Sequence, residues 1–490
     1  MWLLLNLILI SLYLLFVKNF YLFFYNNISN KIDHYIIIYL IAFLSVSRYL
    51  YNYVNLYEND LFNINKHYFI IWTKFLLILI FISFWFLLKY YLDSINNNFH
   101  AEILILLSSS MLGLYYIICS KDFIWLYISI ELYSLSIYGL MFFFNSSYIN
   151  SSIKYFINGS VSSILLLFSI TIIYAFTGSF TFESLYYHTL MFINNFQHIA
   201  ILTNIFFVGG LSIFILSFIL KLGLAPFYIW AVDTYTTQPF FIFFYLLITV
   251  KFTLFNFLFN FFIIFMHKIL EINFLYYIFF ISALLSIIVG TFAIIIQTNL
   301  KKIFFYSSLS NSIFLLIPFL DYSTEIFINY IVFNFFYFLN LLGFLFIITF
   351  FKDWSRYQQI IRIESLTGLA QYNPILAFIF SILLLSFTGF PPFIGFFVKF
   401  SFLLPIYNYS PFICFIIVIS SVISNIYSWW LITLMYFYKK NTPVSLLIKP
   451  TFAILTALIL ISFYFNFILT FYFIPLFYSF VATLIYFFIE

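Results

Sequence analysis

Long apolar runs separated by short polar stretches make up almost the whole chain. Runs such as 75–88 and 341–351 are apolar on nearly every face, whereas the strands of an outer-membrane barrel alternate apolar and polar residues. The pattern therefore predicts an all-α polytopic membrane protein with about 14 transmembrane helices. The predicted spans are 2–25, 35–52, 69–92, 101–119, 123–145, 153–177, 200–231, 239–265, 274–298, 302–320, 325–351, 373–404, 409–438 and 450–486.

Two of these spans are interrupted by proline. Pro226 lies inside 200–231, and the pair Pro391-Pro392 lies inside 373–404. Proline removes a backbone donor, and such breaks in a membrane are tolerated where protein or water satisfies the freed carbonyl. Broken helices at corresponding positions of two halves are typical of inverted-repeat transporters. A weak internal similarity supports a duplicated core, because Gly210, Lys221 and Pro226 resemble Gly389, Lys399 and Pro405.

Three lysines, Lys221, Lys251 and Lys399, lie within apolar spans. Counting from Pro239 at about 1.5 Å per residue, Lys251 is roughly 18 Å into its helix, near the middle of a bilayer. A lysine at that depth costs about 2.5 to 3.5 kcal/mol on insertion scales, so it rarely lies there without a polar partner or a function. A buried lysine can also be neutral near pH 7 and can then accept and release a proton, which arginine cannot. The three lysines therefore predict a proton path.

Glu131 is the acid that we place at mid-depth, roughly 14 Å beyond the polar pair Lys121-Asp122. A carboxylate next to an ammonium can exchange a proton with it, and such coupled groups titrate jointly. Glu131 and Lys221 are therefore a candidate switchable pair. The alternative is a static salt bridge that holds two helices together.

The other candidates also have structural alternatives. Lys251 could snorkel toward the membrane interface, and Lys399 could be an interfacial lysine that accompanies a kink. Hydroxyl side chains near the charged residues, among them Ser134 and Thr388, could hold water molecules between them.

Composition narrows the function further. Hydrophobic residues make up 65% of the chain and charged residues 7%, and the mean hydropathy is +1.12. The net charge of +5 comes from scattered residues without an arginine cluster, so no nucleic-acid partner is expected. Cys119 and Cys414 lie far apart without a CxxC neighbour, and no Gly-rich nucleotide motif occurs. We therefore expect no cofactor and no metal in this chain.

Basic residues outside the apolar spans are distributed unequally between the two predicted membrane faces. Cytoplasmic or matrix loops carry the excess of such residues, so both termini are expected to face the opposite compartment. The more positive face carries Lys18, Lys31, Lys89, Lys154, Lys301, Lys302, Lys352, Arg356, Arg362, Lys439, Lys440 and Lys449. The other face carries Arg48, Lys66, Lys74, Lys121 and Lys268.

Four segments resemble the family of NADH dehydrogenase subunit 2, called N in bacteria, an antiporter-like subunit of respiratory complex I. They are ISIELYSLSIYGL (128–140), KLGLAPFYIWAVDTYTTQP (221–239), VGTFAIIIQTNLKKIFFYSSLSNS (289–312) and LLLSFTGFPPFIGFFVKF (383–400). The resemblance covers most of 120–405 in the order and spacing of the family.

The resemblance implies two inverted five-helix repeats, with broken helices at 200–231 and 373–404, around a central hydrophilic axis. The predicted organisation is an N-terminal three-helix segment (1–100), a first repeat (101–265), a second repeat (274–438) and a C-terminal helix (439–490). The family also implies that the proton path consists of Glu131, Lys221, Lys251 and Lys399, which occupy the matching motif positions.

Two positions depart from the family pattern. Tyr228 stands where a histidine usually follows Pro-Phe, and Asn311 stands where a histidine usually follows Tyr-Ser-Ser. Neither side chain can be protonated near pH 7, so a link between the central lysines must run through water instead of imidazole.

The predicted function is that of a proton-translocating membrane-arm subunit of NADH:ubiquinone oxidoreductase. FMN, iron–sulfur clusters and ubiquinone are expected in other subunits, and the expected partners are other membrane-arm subunits, including neighbouring antiporter-like ones, and lipids. The alternatives are a cation/proton antiporter of the same fold and a non-pumping structural subunit. The heavy use of Phe, Ile, Tyr, Asn and Lys is typical of AT-rich codons and points to an organelle-encoded gene. The expected location is the mitochondrial inner membrane, and the alternatives are a bacterial plasma membrane and a plastid thylakoid.

Overall fold

The computed structural model describes residues 61–94, 100–144, 149–185, 201–269, 273–320, 324–350 and 363–438. Within these ranges the chain is helical almost throughout, and the extended pairing is a single antiparallel bridge between Asp122 and Thr181. The predicted all-α fold class is therefore confirmed. The predicted spans 2–25, 35–52 and 450–486 lie outside the described residues, so the total of about 14 and the assignment of 439–490 stay predictions.

The described helices follow the predicted spans closely. They are α1 (Leu61–Ser94), α2 (His100–Cys119), α3 (Phe123–Phe144), α4 (Ile149–Thr177), α5 (Ile201–Leu222), α6 (Ile229–Thr237), α7 (Phe240–Tyr245, continued by a π-helical segment Leu246–Val250 and by Lys251–Ile269), α8 (Asn273–Ile296), α9 (Leu300–Leu316), α10 (Thr324–Phe350), α11 (Pro374–Thr388), α12 (Ile394–Tyr409) and α13 (Pro411–Phe437). Short helical turns at Ile317–Phe319, Ile363–Leu366 and Leu369–Tyr372 complete the list.

Eight helices of the described part are long and apolar enough to cross a membrane, namely α2, α3, α4, α7, α8, α9, α10 and α13. Shorter apolar helices occur in α1, α5, α11 and α12. The last three of these lie at the two predicted helix breaks. Length and apolarity together identify a multi-pass membrane protein.

The chain divides into two compact units. The first contains Met1–Cys119 and Ile128–Ile149, and the second contains Ser120–Tyr127 and Asn150–Glu490. In the first unit, the hydroxyl of Ser109 on α2 donates to the hydroxyl of Ser136 on α3 over 2.8 Å. The predicted division into two five-helix repeats stays a prediction.

The core of the second unit is formed by α7 and α10, which run antiparallel. Aromatic pairs show their alignment, because Phe252 lies 5.1 Å from Phe338 and Phe259 stacks on Tyr330 with ring centroids 4.0 Å apart. Helix α9 packs beside them, and every residue from 241 to 262 on α7 is buried. Polar groups on this stretch of α7 therefore face protein rather than lipid.

Both predicted helix breaks are confirmed, and each begins at a glycine in the left-handed conformation. Gly223 has φ +62° after α5, and Gly389 has φ +86° after α11. The backbone N–H groups of Gly223 and Leu224 donate to the carbonyls of Leu220 and Ile219, both at 3.1 Å. This pattern closes a helix end and requires a residue that tolerates positive φ.

The two glycines correct the internal similarity expected from the sequence. The breaks align on Gly223 and Gly389, so the expected match of Gly210 with Gly389 is wrong. In the corrected alignment Lys399, ten positions after its glycine, matches Asp233 and not Lys221. The sequence comparison aligned the two halves on their lysines, whereas the positions of the helix breaks are set by the two glycines with positive φ.

Candidate functional site

Lys221 lies in the last turn of α5, two residues before the break at Gly223. Its side chain is 6% exposed. A Cβ atom at Gly223 would lie 2.6 Å from the Cβ of Ala231 on α6, so the chain turns tightly directly after the lysine. The break therefore holds Lys221 at a helix end inside the protein.

Lys251 follows the π-helical segment of α7 and is 1% exposed. Its Nζ donates to the hydroxyl of Ser308 on α9 over 3.0 Å and lies 5.3 Å from the ring centre of Phe305. Single π-helical turns within α-helices occur frequently at functional sites. The ammonium therefore points into the helix bundle, which is the geometry of a buried polar site and not of snorkelling.

Lys399 on α12 reaches back to the end of α11. Its Nζ donates to the backbone carbonyls of Phe387 at 3.1 Å and Thr388 at 3.0 Å, and lies 5.6 Å from the ring centre of Phe314. The last carbonyls of a helix carry partial negative charge, so this position stabilises a cation. Thr388 supports Lys399 through its backbone, while its hydroxyl donates to the Ser428 hydroxyl over 3.4 Å.

Polar groups on α10 connect the surroundings of Lys251 and Lys399. The Tyr337 hydroxyl donates to the Ser308 carbonyl over 3.5 Å, and Asn340, one turn further along α10, accepts a hydrogen bond from the Ser386 hydroxyl over 3.3 Å. Ser386 directly precedes the two residues whose carbonyls bind Lys399. We call this set the polar seam: Lys251, Ser308, Tyr337, Asn340, Ser386 and Lys399.

Glu131 and Ser134 lie on α3 within the first unit. The Ser134 hydroxyl donates to the Glu131 backbone carbonyl over 3.1 Å. The Oε1 atom of Glu131 is buried and accepts no hydrogen bond within the part of the chain that the structure describes. Lys221 belongs to the second unit, so the pairing of Glu131 with Lys221 stays a prediction.

The two positions that depart from the family pattern lie in the second unit. Tyr228 precedes α6, and its ring centre is 6.3 Å from that of Tyr306 on α9. Asn311 is buried on α9, three residues after Ser308 and therefore on the same helix face. Asn311 thus lies beside the hydrogen-bond partner of Lys251, and its role along a central axis stays a prediction.

Lys301 is a buried cation that the sequence assigned to a membrane face. It is 4% exposed, its Nζ donates to the backbone carbonyl of Gln238, and it lies 4.8 Å from the ring centre of Phe240. The Gln238 amide in turn donates to the Ser151 hydroxyl over 2.6 Å. Lys301 therefore stabilises the link between α6 and α7 from a buried position, and the membrane face to which it belongs stays a prediction.

Other charged or metal-binding residues of the described chain add little to this site. Partial burial raises the pKa of the Asp122 carboxyl above its ordinary value. Lys154 and Asp233 lie 3.8 Å apart as an exposed ion pair. Among the residues that the structure describes, no group of three or more His, Cys, Asp or Glu side chains is placed to hold a metal ion.

Buried lysines next to broken helices define a class: a multi-pass helical membrane protein with the architecture of ion-translocating transporters. A family model described as NADH:quinone oxidoreductase/Mrp antiporter, TM, matches residues 120–424. The chain belongs to this family. The resemblance identified in the sequence is therefore confirmed.

Relatives and solved structures agree with this membership. The chain is 31% identical to "NADH-quinone oxidoreductase subunit N 2" of Thermodesulfovibrio yellowstonii over 73% of its length and 74% of the relative. It is 30% identical to "NADH-ubiquinone oxidoreductase chain 2" of Rhizopus oryzae over 72% of its length and 67% of the relative.

A similar fold occurs in a chain of the membrane-bound sulfane sulfur reductase, an archaeal respiratory membrane complex. The TM-score is 0.70 at 19% identity, covering 85% of this chain and 82% of the other. At 19% identity, this structural similarity shows that the two chains share a fold.

Proposed function

We propose that this chain is the antiporter-like subunit 2 (N) of NADH:quinone oxidoreductase and that it moves protons across the membrane. Electron transfer in other subunits would drive this movement by shifting the buried charges of the chain. The observation that carries the proposal is the polar seam, a set of polar groups between buried Lys251 and partly buried Lys399 inside one compact unit. Relatives at about 30% identity named as subunit N or chain 2 support the choice of complex.

Lys251 is the proposed exchange site of the path. Its partner Ser308 is a hydroxyl, which accepts a hydrogen bond from the ammonium and donates to the Phe305 carbonyl over 2.6 Å; on rotating, the same hydroxyl can donate to a neutral amine instead. Both protonation states of Lys251 are therefore accommodated without rearranging the backbone. This property suits a group that gains and loses a proton in each turnover.

Lys399 is the proposed holding site at the far end of the polar seam. Its partners are carbonyl oxygens, which only accept hydrogen bonds, and they form the negative end of α11. This environment stabilises a positive charge. A change in charge at Lys251 would therefore act on the ammonium of Lys399, which the carbonyls at the end of α11 hold in place.

Glu131 and Lys221 are the proposed control pair. A buried carboxylate oxygen without a hydrogen-bond donor in the described part of the chain is a ready proton acceptor, and Lys221 lies at a helix break, where small backbone changes move a side chain. When the two exchange a proton, the charge on Lys221 changes. Tyr228 and Asn311 would bind water along this route.

The redox chemistry is assigned to other subunits. In this proposal FMN, iron–sulfur clusters and ubiquinone belong to neighbouring chains, and this chain contributes no redox site of its own. Its partners are other membrane-arm subunits, including antiporter-like ones, and membrane lipids. The proposed location is the mitochondrial inner membrane.

Isolation of the native particle tests the assignment. We expect the chain to co-purify with flavin and iron–sulfur subunits, and proton uptake into reconstituted vesicles to require both NADH and a quinone. Lys221→Ala should leave the particle assembled and strongly reduce NADH-driven proton uptake. Proton or sodium flux without NADH would instead support a cation/proton antiporter, and unchanged pumping by Lys221→Ala would support a structural subunit.

A further inference from the structure

An asparagine cluster lies between α7 and α10, next to the polar seam but outside it. It consists of Asn256, Asn260, Asn334 and Tyr330. The Oδ1 atom of Asn256 accepts hydrogen bonds from the Tyr330 hydroxyl at 3.1 Å and from the Asn334 amide at 2.6 Å. Residues four apart share a helix face, so Asn260 lies on the same face of α7 as Asn256.

Several polar atoms of this cluster lack a protein partner. Asn260 is 7% exposed, and within the described residues neither its Nδ2 nor its Oδ1 has a hydrogen-bond partner. Asn334 is fully buried, and its Oδ1 is also without a partner in that part of the chain. Buried amides that the protein leaves unsatisfied are typically satisfied by internal water, which needs two to four polar partners.

The unsatisfied amide atoms include both acceptors and a donor, and this combination favours bound water over a bound cation. Two acceptors, on Asn260 and Asn334, lie in a cluster with one free donor, the Nδ2 of Asn260. A water molecule can donate to the oxygens and accept from the nitrogen, whereas a metal cation binds oxygens and would leave Nδ2 unsatisfied. Neither asparagine nor the tyrosine hydroxyl carries a charge near pH 7, so water itself must transfer any proton here.

The cluster is continuous with the lysine site. Ser308 binds Lys251 through its hydroxyl and Tyr337 through its carbonyl. Tyr337 lies one turn from Asn334 on α10, and Asn334 binds Asn256 on α7. Aromatic side chains surround this line, because Phe259 stacks on Tyr330 and the whole of 241–262 is buried. The line is therefore shielded from lipid.

The cluster leads from mid-membrane toward one membrane face. Asn260 lies nine residues beyond Lys251, or roughly 14 Å along α7, and the helix ends nine residues later at Ile269. Helix α10 begins at the same end, at Thr324. The distribution of basic residues predicts that this end faces the less positive compartment, to which Lys268 was assigned.

We propose that Asn256, Asn260 and Asn334 bind a short chain of water molecules that carries protons between Lys251 and the membrane face where α7 ends and α10 begins. This inference rests on the proposed function, since it supplies one half of the proton route. The asparagines are positioning residues in this scheme, because they order the water and do not themselves exchange protons.

The first test compares Asn260→Leu with Asn260→Ser in the complete complex. Leucine removes both polar atoms and fills their space, whereas serine keeps a hydroxyl that can bind water. We expect Asn260→Leu to lower NADH-driven proton uptake on the order of tenfold, with the complex assembled, and Asn260→Ser to retain most of it. Normal proton uptake by Asn260→Leu would overturn the proposal.

The second test measures water access without relying on pumping. With Cys119 and Cys414 replaced by serine, Asn260→Cys should react with a small methanethiosulfonate reagent about tenfold faster than Phe255→Cys, which lies on a different face of α7. Equal rates would contradict a water-filled line. Sodium-dependent protection of Asn260→Cys would also overturn the proposal, because it would identify a cation site.

The variant Lys251→Ala distinguishes a failure of the proposed function from a failure of the asparagine route. If Lys251→Ala stops proton uptake and Asn260→Leu does not, the proposed function stands and the asparagine route is wrong. If Lys251→Ala pumps normally, the proposed function fails and the route fails with it.

Discussion

The three lysines of the proposed proton path differ in the groups that surround them. Lys251 binds a hydroxyl, Lys399 binds two helix-end carbonyls, and Lys221 lies two residues before the helix break at Gly223. From residue type and predicted depth alone, the three lysines would be expected to have the same role. The tasks of exchange, holding and control that we propose for them are therefore separable and can be tested one at a time.

Ser308→Ala tests the exchange task. The substitution removes the hydroxyl that binds Lys251 but leaves the lysine in place, so the protonated and neutral states lose their common partner. We expect assembly to be normal, because one interhelical hydrogen bond in a membrane is worth about 0.6 to 2 kcal/mol. The initial rate of NADH-driven proton uptake should fall several-fold, within about the tenfold range of one lost contact.

Ser307→Ala is the matched control, since this neighbouring serine is only partly buried and its hydroxyl donates to Phe304 within the same helix. Its proton uptake should match the unsubstituted chain. If the two variants behave alike, the hydroxyl at Ser308 has no special role.

Lys301 and the asparagine cluster show why residue-level prediction was incomplete. Lys301 and Lys302 are adjacent at a predicted helix start, and nothing local distinguishes the buried lysine from its neighbour. The distinction depends on the Gln238 carbonyl, which comes from a different helix link. Asn256 and Asn260 lie in an Asn-rich and Phe-rich chain, so residue type alone does not single them out. Their role depends on α10, whose pairing with α7 the sequence does not specify.

At the scale of helices, the breaks were the most predictable feature. Pro226 and Pro391-Pro392 indicated where each helix is interrupted, because proline cannot continue the backbone ladder. The helix ends are set by Gly223 and Gly389, whose positive φ closes the preceding turn. Proline thus gave the location, and the glycine geometry was needed to align the two halves.

Gly395→Ala tests whether the close approach of α11 and α12 positions Lys399. A Cβ atom at Gly395 would overlap the backbone carbonyl oxygen of Ser386 on α11. Separating the helices would pull Lys399 from the carbonyls that hold it, and overpacking of this kind costs about 1 to 3 kcal/mol. We expect a lower thermal midpoint of the complex and reduced proton uptake.

Gly209→Ala provides the comparison, since nothing lies within 4 Å of a Cβ atom at that position on α5. Replacing a helical glycine by alanine there should be neutral or stabilise by about 0.5 to 1 kcal/mol. A normal thermal midpoint and normal proton uptake for Gly395→Ala would show that the helix approach is not required.

At the scale of the whole molecule, composition and hydropathy were sufficient to predict an all-α membrane protein, and four short segments were sufficient to identify the family. A bilayer restricts spanning structures to helices and closed barrels, so the fold class follows from few observations. The polar seam could not be predicted in this way. It depends on which faces of α7, α9, α10 and α11 meet, and apolar runs without strong periodicity do not fix those faces.

The central claim is that protons pass through the buried lysines of this chain. The most direct measurement is the number of protons taken up per NADH oxidised by the reconstituted complex, compared between Lys251→Ala and Lys302→Ala. Lys302 lies next to a buried lysine but is itself partly exposed, so its loss controls for charge alone. If protons pass through Lys251, the ratio should fall for Lys251→Ala at normal assembly and stay unchanged for Lys302→Ala. An unchanged ratio for Lys251→Ala would contradict this claim.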